Sequence, residues 1–413
     1  MHSFKLSILL VFISGITFAQ DLNSLSKPQW LEDYDKLAYN IKARHVDPYA
    51  YVTKEQFNNI VMNLGYSLDE LTLAEKLVEL MRIANQPGDG KTSVNVEPYF
   101  HYYPIELFWY SDGLRIEKIQ SSMKQYAGHQ VIAIDGVKIL EAAPKIQKLI
   151  PSDENLYYRT KWDQKWLRNA DLLHIQGITK NPKTAIYTLV DDNGNIENIT
   201  LNAISYEELQ QVEWQRGYSL DPRLAQTKGK DFAYIVFDEF TIYINMPKYP
   251  STDVMKKETE SLIPLLENEA YTHLVIDLRQ NDNSSGDAME YLAKRIKKSD
   301  FQEHGKIYVI TGRETFGQAF TDTFMLMEDF DAYPVGEPAA QNPNNYEIGY
   351  TDVLPHSQIS YTVAGSAVQM QPGELDDVDH MPNTILMHQL ITPNFEIRKE
   401  GMDEVMEWIT KQP

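Results

Sequence analysis

Thr311-Gly312-Arg313-Glu314-Thr315-Phe316-Gly317-Gln318-Ala319 joins a short β-type run, 307–311, to a stretch with helical spacing, 317–327. A second turn follows the next apolar run: Val335-Gly336-Glu337-Pro338, then Pro343-Asn344-Asn345-Tyr346. Around these turns strand and helix signals alternate: strand 240–246, helix 252–268, a continuously apolar strand 273–278, helix 287–298, strand 307–311, helix 317–327. Short apolar runs alternating with helical periods specify an α/β unit with parallel pairing and right-handed crossovers. In such sheets chemistry collects where strands end and helices begin. Three such junctions occur, at Asp277-Leu278-Arg279 with the loop 280–286, at Thr315-Phe316-Gly317, and at Val335-Gly336-Glu337-Pro338.

Upstream the period changes twice. Between 28 and 84 it is helical: Leu73, Leu77, Leu80, Met81 and Ala84 share one face, and Thr53 with Gln56 forms a capping-box pattern at a helix start. Pro87-Gly88-Asp89-Gly90 ends that region in a turn. From 99 to 203, β-type runs at 107–109, 114–119, 131–134 and 186–190 are divided by Asp112-Gly113, Asp135-Gly136 and Asn193-Gly194, with a helical stretch at 140–149. That order fits a PDZ-like module, in which a peptide adds a strand to a sheet edge. Residues 207–230 are polar and weakly periodic and read as a linker. The expected layout is a signal peptide (1–19), an N-terminal helical domain (20–98), a PDZ-like β domain (99–206), the linker, and a C-terminal ClpP/crotonase-like α/β domain (231–413).

Lys5, the apolar run 6–13 and Thr17-Phe18-Ala19 before Gln20 have the form of a secretory signal peptide cleaved after Ala19. The expectation is export, to the periplasm or the medium, with no stable membrane anchor, because no later run approaches the length of a membrane span. The chain has no cysteine, which excludes disulfides, thiol catalysis and thiolate metal sites. Its net charge of −21 is spread along 413 residues and argues against nucleic acid as a partner, since that needs clustered Lys and Arg.

With these junctions in view, the chain resembles the tail-specific, or carboxyl-terminal-processing, serine protease family, which is related to the tricorn core and to the repeats of the interphotoreceptor retinoid-binding protein. The matching fragments run in family order: Arg44-His45 with Pro48; Gly88-Asp89-Gly90-Lys91-Thr92, where the family has Gly-Asp-Gly-His-Thr; Asp135-Gly136; Ile276-Asp277-Leu278-Arg279-Gln280-Asn281; Thr315-Phe316; the turn from Val335; Leu354-Pro355-His356-Ser357; and Asp376-Asp377-Val378-Asp379-His380. The resemblance spans nearly the whole chain. It implies a serine nucleophile at the start of the 317–327 helix, a lysine base further on, and an oxyanion hole of backbone amides.

The departures fall on the chemistry. Gly317, beside Gln318, stands at the nucleophile position, Asn342 at the base position and Lys91 at the histidine position. The glycines of the oxyanion loop are replaced by Asp282, Asn283 and Ser284, leaving Gly286. The resemblance thus implies a scaffold degenerate for peptide hydrolysis, binding a peptide, a protein tail or a small apolar ligand in a groove that includes Glu337, Asn344 and Tyr346, with no cofactor. The alternative is an active serine-type peptidase with a relocated nucleophile, drawn from Thr315, Thr321, Thr323, Ser284 or Ser285. Three other readings compete for these residues: a cation held by Asp376, Asp377, Asp379 and His380; a Glu337–Glu347 carboxylate pair acting on a glycan; and a ligand groove of Phe108, Trp109, Tyr110, Trp162 and Trp166. The bland readings are solvated acidic residues, a Glu337 that accepts amides of its own turn, and aromatic core. Asn198-Ile199-Thr200 has the form of a glycosylation sequon.

Overall fold

A computed structural model of the chain describes residues 21–151, 154–282, 288–370 and 384–413. The expected signal peptide, the oxyanion-loop residues Asn283, Ser284 and Gly286, Ser285, and the acidic run from Asp376 to His380 lie outside the described residues.

The architecture is mixed α/β. Three N-terminal helices, Lys27–Arg44, Lys54–Ser67 and Leu73–Ala84, each start at a capping box. The second is Thr53 with Gln56, as the sequence pattern specifies; Gln56 N–H donates to Thr53 Oγ1 at 3.1 Å and Thr53 N–H to Gln56 Oε1 at 2.8 Å. Such a box satisfies amides that the helix itself leaves unpaired. Trp30, Tyr34, Leu37 and Ile41 recur every three or four residues on one face of the first helix, and all are buried.

The middle of the chain forms a seven-stranded sheet. Its main path is Trp214–Arg216, Gly113–Gln120, Gln130–Ile134, Thr184–Val190 and Ile196–Asn202; Ile105–Tyr110 and Val137–Lys138 pair beside it. All these pairings are antiparallel. Trp214–Arg216 lies inside the stretch read as a linker. Polar composition hid an edge strand there, because one face of an edge strand meets water and three residues are too few to show a period. Helices Ile139–Gln147 and Leu156–Trp166 pack beside this sheet.

The C-terminal sheet has the order Ala233–Val236, Thr241–Asn245, His273–Asp277, Lys306–Thr311, Tyr333–Gly336, Gln389–Leu390, parallel from the second strand onward. His273–Asp277 is buried throughout, which accounts for its unbroken apolar run. Leu274 and Ile276 face a core built with Leu262, Leu292 and Leu326 of three helices. Val275 faces the other side, against Val405, Met406 and Ile409 of the last helix.

One element leaves this sheet. The hairpin Asn344–Val353/Ser360–Gln369 crosses to the N-terminal helices, and its second strand pairs with Ser93–Val94, Ser93 opposite Thr362. Leu354, Ile359, Tyr361 and Val363 join the N-terminal core. The hairpin turn is held by Asp33, fully buried in the first helix, whose carboxylate accepts the amides of His356 and Ser357 at 2.9 and 2.8 Å.

Truncating Asp33 to Ala leaves two amides without their acceptor and is expected to cost about 2 to 4 kcal/mol. The urea midpoint, followed by tryptophan fluorescence, measures it; an unchanged midpoint would show that the hairpin does not depend on this carboxylate.

Candidate functional site

The site is assembled at the C-terminal end of the parallel sheet. After Thr311 the chain turns through residues 312–316 and enters the helix Gln318–Phe330 at Gly317. The turn is locked from within. Thr315 Oγ1 accepts the Gly312 amide at 3.0 Å and donates to the Leu278 carbonyl at 2.8 Å, and the Phe316 amide donates to the Asn281 carbonyl at 3.1 Å. Gly317 has φ 64° and ψ −128°, a conformation glycine reaches freely and other residues only under strain. Its amide donates to Gln341 Oε1 at 2.7 Å, and no side chain caps the helix.

Arg313 and Glu337 are both buried and joined as a bidentate pair, with Arg313 Nε 2.9 Å from Glu337 Oε2. Arg313 also donates to Gln164 Oε1 at 3.1 Å and lies 4.2 Å from the Phe108 ring centroid. Glu337 therefore holds the neighbouring turn through Arg313 instead of accepting amides of its own, and Glu347 is exposed on the hairpin.

Opposite stands the turn 88–92. Asp89 Oδ1 accepts the amides of Lys91 and Thr92, both at 2.7 Å, and Asp89 Oδ2 faces His45 Nε2 at 2.9 Å. The Asp47 amide donates to His45 Nδ1 at 2.9 Å, so the ring proton sits on Nε2 and points at Asp89. Both ring nitrogens are thereby engaged. Gly90 passes so close to Tyr158 that a Cβ there would meet its hydroxyl at 2.7 Å. The hairpin fixes the far side: Thr362 Oγ1 donates to the Lys91 carbonyl at 2.6 Å, and the Ala364 amide to Thr92 Oγ1 at 3.1 Å.

Lys91 thus projects toward the first turn. It is only 8% exposed, and its Nζ lies 3.8 Å from the Phe316 ring centroid. Burial pushes this amine down to about 8; Glu154, Asp89 and Glu347 oppose the shift, while Lys161 adds to it. Lys161 is buried too, 5.7 Å from the same ring, and shares Glu314 with Lys165, each Nζ 3.1 Å from Glu314 Oε2.

No family model matches the sequence, and no curated protein matches it. Solved structures do match in fold. Mature CPAF complexed with lactacystin aligns with a TM-score of 0.62 at 12% identity, over 93% of this chain and 97% of that one. The photosystem II D1 C-terminal processing protease aligns at 0.41 and 10% identity, over 91% and 98%. The tricorn protease aligns at 0.41 and 11% identity, over 93% and 36%. The chain has the tail-specific protease fold.

Within this fold, Gly317, Gln318, Lys91 and Phe316 come together, whereas other expected residues part. Asn342 is half-buried, and it is the adjoining Gln341, fully buried, whose side chain reaches Gly317. Tyr346 packs against His45, with ring centroids 5.4 Å apart, and Asn344 Oδ1 accepts the Met370 amide at 3.1 Å. Glu337 instead lines a separate cavity of about 600 Å³ between the middle sheet and the strand ends, together with Phe108, Arg168, Arg279, Arg313 and Asp403. That cavity borders residues 312–314 but not Gly317, so it is the neighbour of the 91/316/317 cluster and not its floor. A second cavity, about 240 Å³, lies behind Gly90 and Thr92 and takes in Trp162 and Trp166; Phe108 and Tyr110 line the first one.

The threonine hydroxyls proposed as substitutes are committed to backbone: Thr315 to Leu278, Thr321 to Gly317 at 3.5 Å, Thr323 to Ala319 at 2.8 Å. Lys161, Glu314 and Gln341 were not singled out in the sequence. The available signal was Lys161 and Lys165 four apart on one helix, spacing that equally fits a solvated face. Among the described residues no cluster of His, Asp or Glu could hold a metal ion, and no helix is long and apolar enough to cross a membrane.

The lowered Lys91 value has a defined effect on stability. Below about pH 8 the folded and unfolded chains both carry this proton, and the cost of burying the ammonium is fully present. Between about 8 and the ordinary value of 10.5 only the unfolded chain keeps it, so stability rises with pH, by up to roughly 3 kcal/mol. Lys91→Met is expected to remove this increment and to be the more stable protein at pH 7. Denaturant titrations of both proteins across pH 7 to 10.5 check this; parallel curves would contradict it.

Proposed function

We propose that this chain is an exported binding protein built on the tail-specific protease scaffold, taking a peptide, a protein tail or a small apolar ligand and lacking peptide hydrolysis. Gly317 carries the reading. It occupies the strand-to-helix turn where the resembling family places its serine, in a backbone conformation of the kind that presents a nucleophile at such an elbow, yet it has no side chain with which to attack a carbonyl. Without a nucleophile no acyl-enzyme forms, and loss of that group alone lowers turnover by several orders of magnitude.

The rest of the site supports the same reading. Asn342, in the family's base position, cannot accept a proton at neutral pH. Lys91, in the histidine position, has its Nζ over the face of the Phe316 ring. Peptide is the favoured ligand class because the sequence resembles the tail-specific protease family. Export rests on the signal-peptide form of residues 1–19. The layout that goes with it is a helical unit at 20–98, a PDZ-like unit at 99–206 and the α/β unit at 231–413.

The test is a fluorophosphonate probe on the purified protein, read by intact mass, with a protease of this fold labelled in parallel. No adduct is expected; an adduct mapped to Ser284, Ser285 or a threonine would replace this reading with an active hydrolase. Gly317→Ser is expected to remain inactive toward peptides and to lose about 1 to 3 kcal/mol, because serine at φ 64° is strained. Measurable turnover by that single variant would show that the remainder of the catalytic machinery is intact.

A further inference from the structure

The cavity of about 600 Å³ that Glu337 lines has a neutralised floor and a positive rim. Asn245, Asp277, Thr311 and Gly336, the last residues of four neighbouring parallel strands, all face it. In open α/β sheets the crevice outside the carboxyl ends of the strands is where ligands bind. Five of the chain's eleven arginines line this one cavity, in a protein whose net charge is −21. On the floor, the carboxylates of Asp277, Glu337, Asp403 and Glu404 are buried, and each is paired with a guanidinium group. Arg279 lies 2.6 Å from Asp277 and 2.7 Å from Asp403, Arg398 lies 2.7 Å from Glu404, and Arg313 holds Glu337. Four carboxylates face three cations there, so the floor has nothing to offer an anion.

At the rim the balance is reversed. Lys118, Lys165, Arg168, Arg216 and Lys228 face three carboxylates, Glu106, Glu117 and Glu314. Each of the three is already shared. Glu106 serves Lys118 at 2.6 Å and Arg168 at 3.9 Å, Glu314 serves Lys165 and the buried Lys161, and Glu117 accepts from Arg216, Tyr110 and Tyr218. Lys228 has no ion-pair partner among the described residues. Two guanidinium groups also keep donors in reserve. Arg168 gives Nη1 to the Ile105 carbonyl at 2.9 Å, and Arg216 gives Nη1 to Glu117 and to the Tyr218 hydroxyl; among the described residues no hydrogen bond reaches Nε or Nη2 of either. Arg216 moreover stands directly opposite Lys118 on the neighbouring strand, and like charges so placed disfavour the pairing.

We propose that this rim binds a small organic dianion, its charges meeting the spare guanidinium donors of Arg168 and Arg216. Guanidinium forks hold carboxylates and phosphates through paired hydrogen bonds, and Leu220, Ile391 and Pro393 give the carbon body an apolar wall. Two sources share the chemistry: a phosphate monoester and a dicarboxylic acid. The cavity is not lined by Gly317, so the proposal stands apart from what the elbow does.

The experiment is titration calorimetry on the full chain at neutral pH with phenyl phosphate, phthalate and the monoanion benzoate. Saturable binding of at least one dianion is expected, about tenfold or more tighter than benzoate and weakening as sodium chloride is added. Binding of phenyl phosphate alone identifies a phosphate ester as the source, and binding of phthalate alone a dicarboxylic acid; binding of both shows that charge alone is read, and each of these supports the site. The double variant Arg168→Met with Arg216→Met is expected to weaken the dianion by about tenfold or more. Failure of both dianions to bind, benzoate binding as tightly as they do, or an unchanged affinity in the double variant overturns the proposal. The contrast between dianion and monoanion is read on the unmodified protein, so it decides the matter even if the double variant does not fold.

Discussion

The pairing of Ser93 with Thr362 is the constraint on which the site depends. It joins two parts of the chain more than 260 residues apart in sequence, and it brings the turn that ends the N-terminal helices to the strand ends of the C-terminal sheet. The hairpin that makes the pairing has its roots in the α/β unit and its apolar residues in the N-terminal core. Pulling it away would expose Leu354, Ile359, Tyr361 and Val363 together, so burial of apolar area, and not the two-residue ladder, sets the strength of the connection. The side-chain bonds from Thr362 and Thr92 then convert that general attraction into a defined position for Lys91.

A second constraint acts on the opposite wall. Residues 312–316 must leave the sheet, double back and enter a helix within a few residues, and several polar groups on the way are given partners. Thr315 both accepts and donates, Arg313 is clamped by Glu337 and Gln164, and the Gly317 amide is taken by Gln341. A buried guanidinium–carboxylate pair of this kind is costly to desolvate, and its value lies in fixing geometry. Much of this chain's polar investment therefore goes into holding the shape of an elbow whose central residue has no side chain. A scaffold that had lost all use for the site would be under no requirement to keep these groups buried and paired.

The fold was largely legible because its signals are local. Leu73, Leu77, Leu80, Met81 and Ala84 fall on the helix Leu73–Ala84, and Thr53 with Gln56 caps the helix before it. The apolar run ending at Asp277 and Leu278 is a buried parallel strand. What was not legible is what depends on distant partners. Trp214–Arg216 is a strand because Gly113–Gln120 offers it an edge. Glu337 faces Arg313 instead of its own turn because the two turns lie side by side on adjacent strands. Gln341 reaches Gly317, where motif order alone pointed to its neighbour Asn342. His45 and Asp89 sat in separate motif fragments, and nothing in their spacing showed that they would share a proton.

Lys91 joins these threads. An ammonium buried against a ring is disfavoured, because burial removes it from water. Glu314 could in principle serve both ammonium groups, yet it is placed with Lys161 and Lys165, and against the effect of burial those two hold its carboxyl below the usual range. Glu154, Asp89 and Glu347 act on Lys91, and burial outweighs them. Natural sequences tolerate such local conflicts chiefly where function requires them, and the conflict here lies beside an uncapped helix start and a glycine elbow.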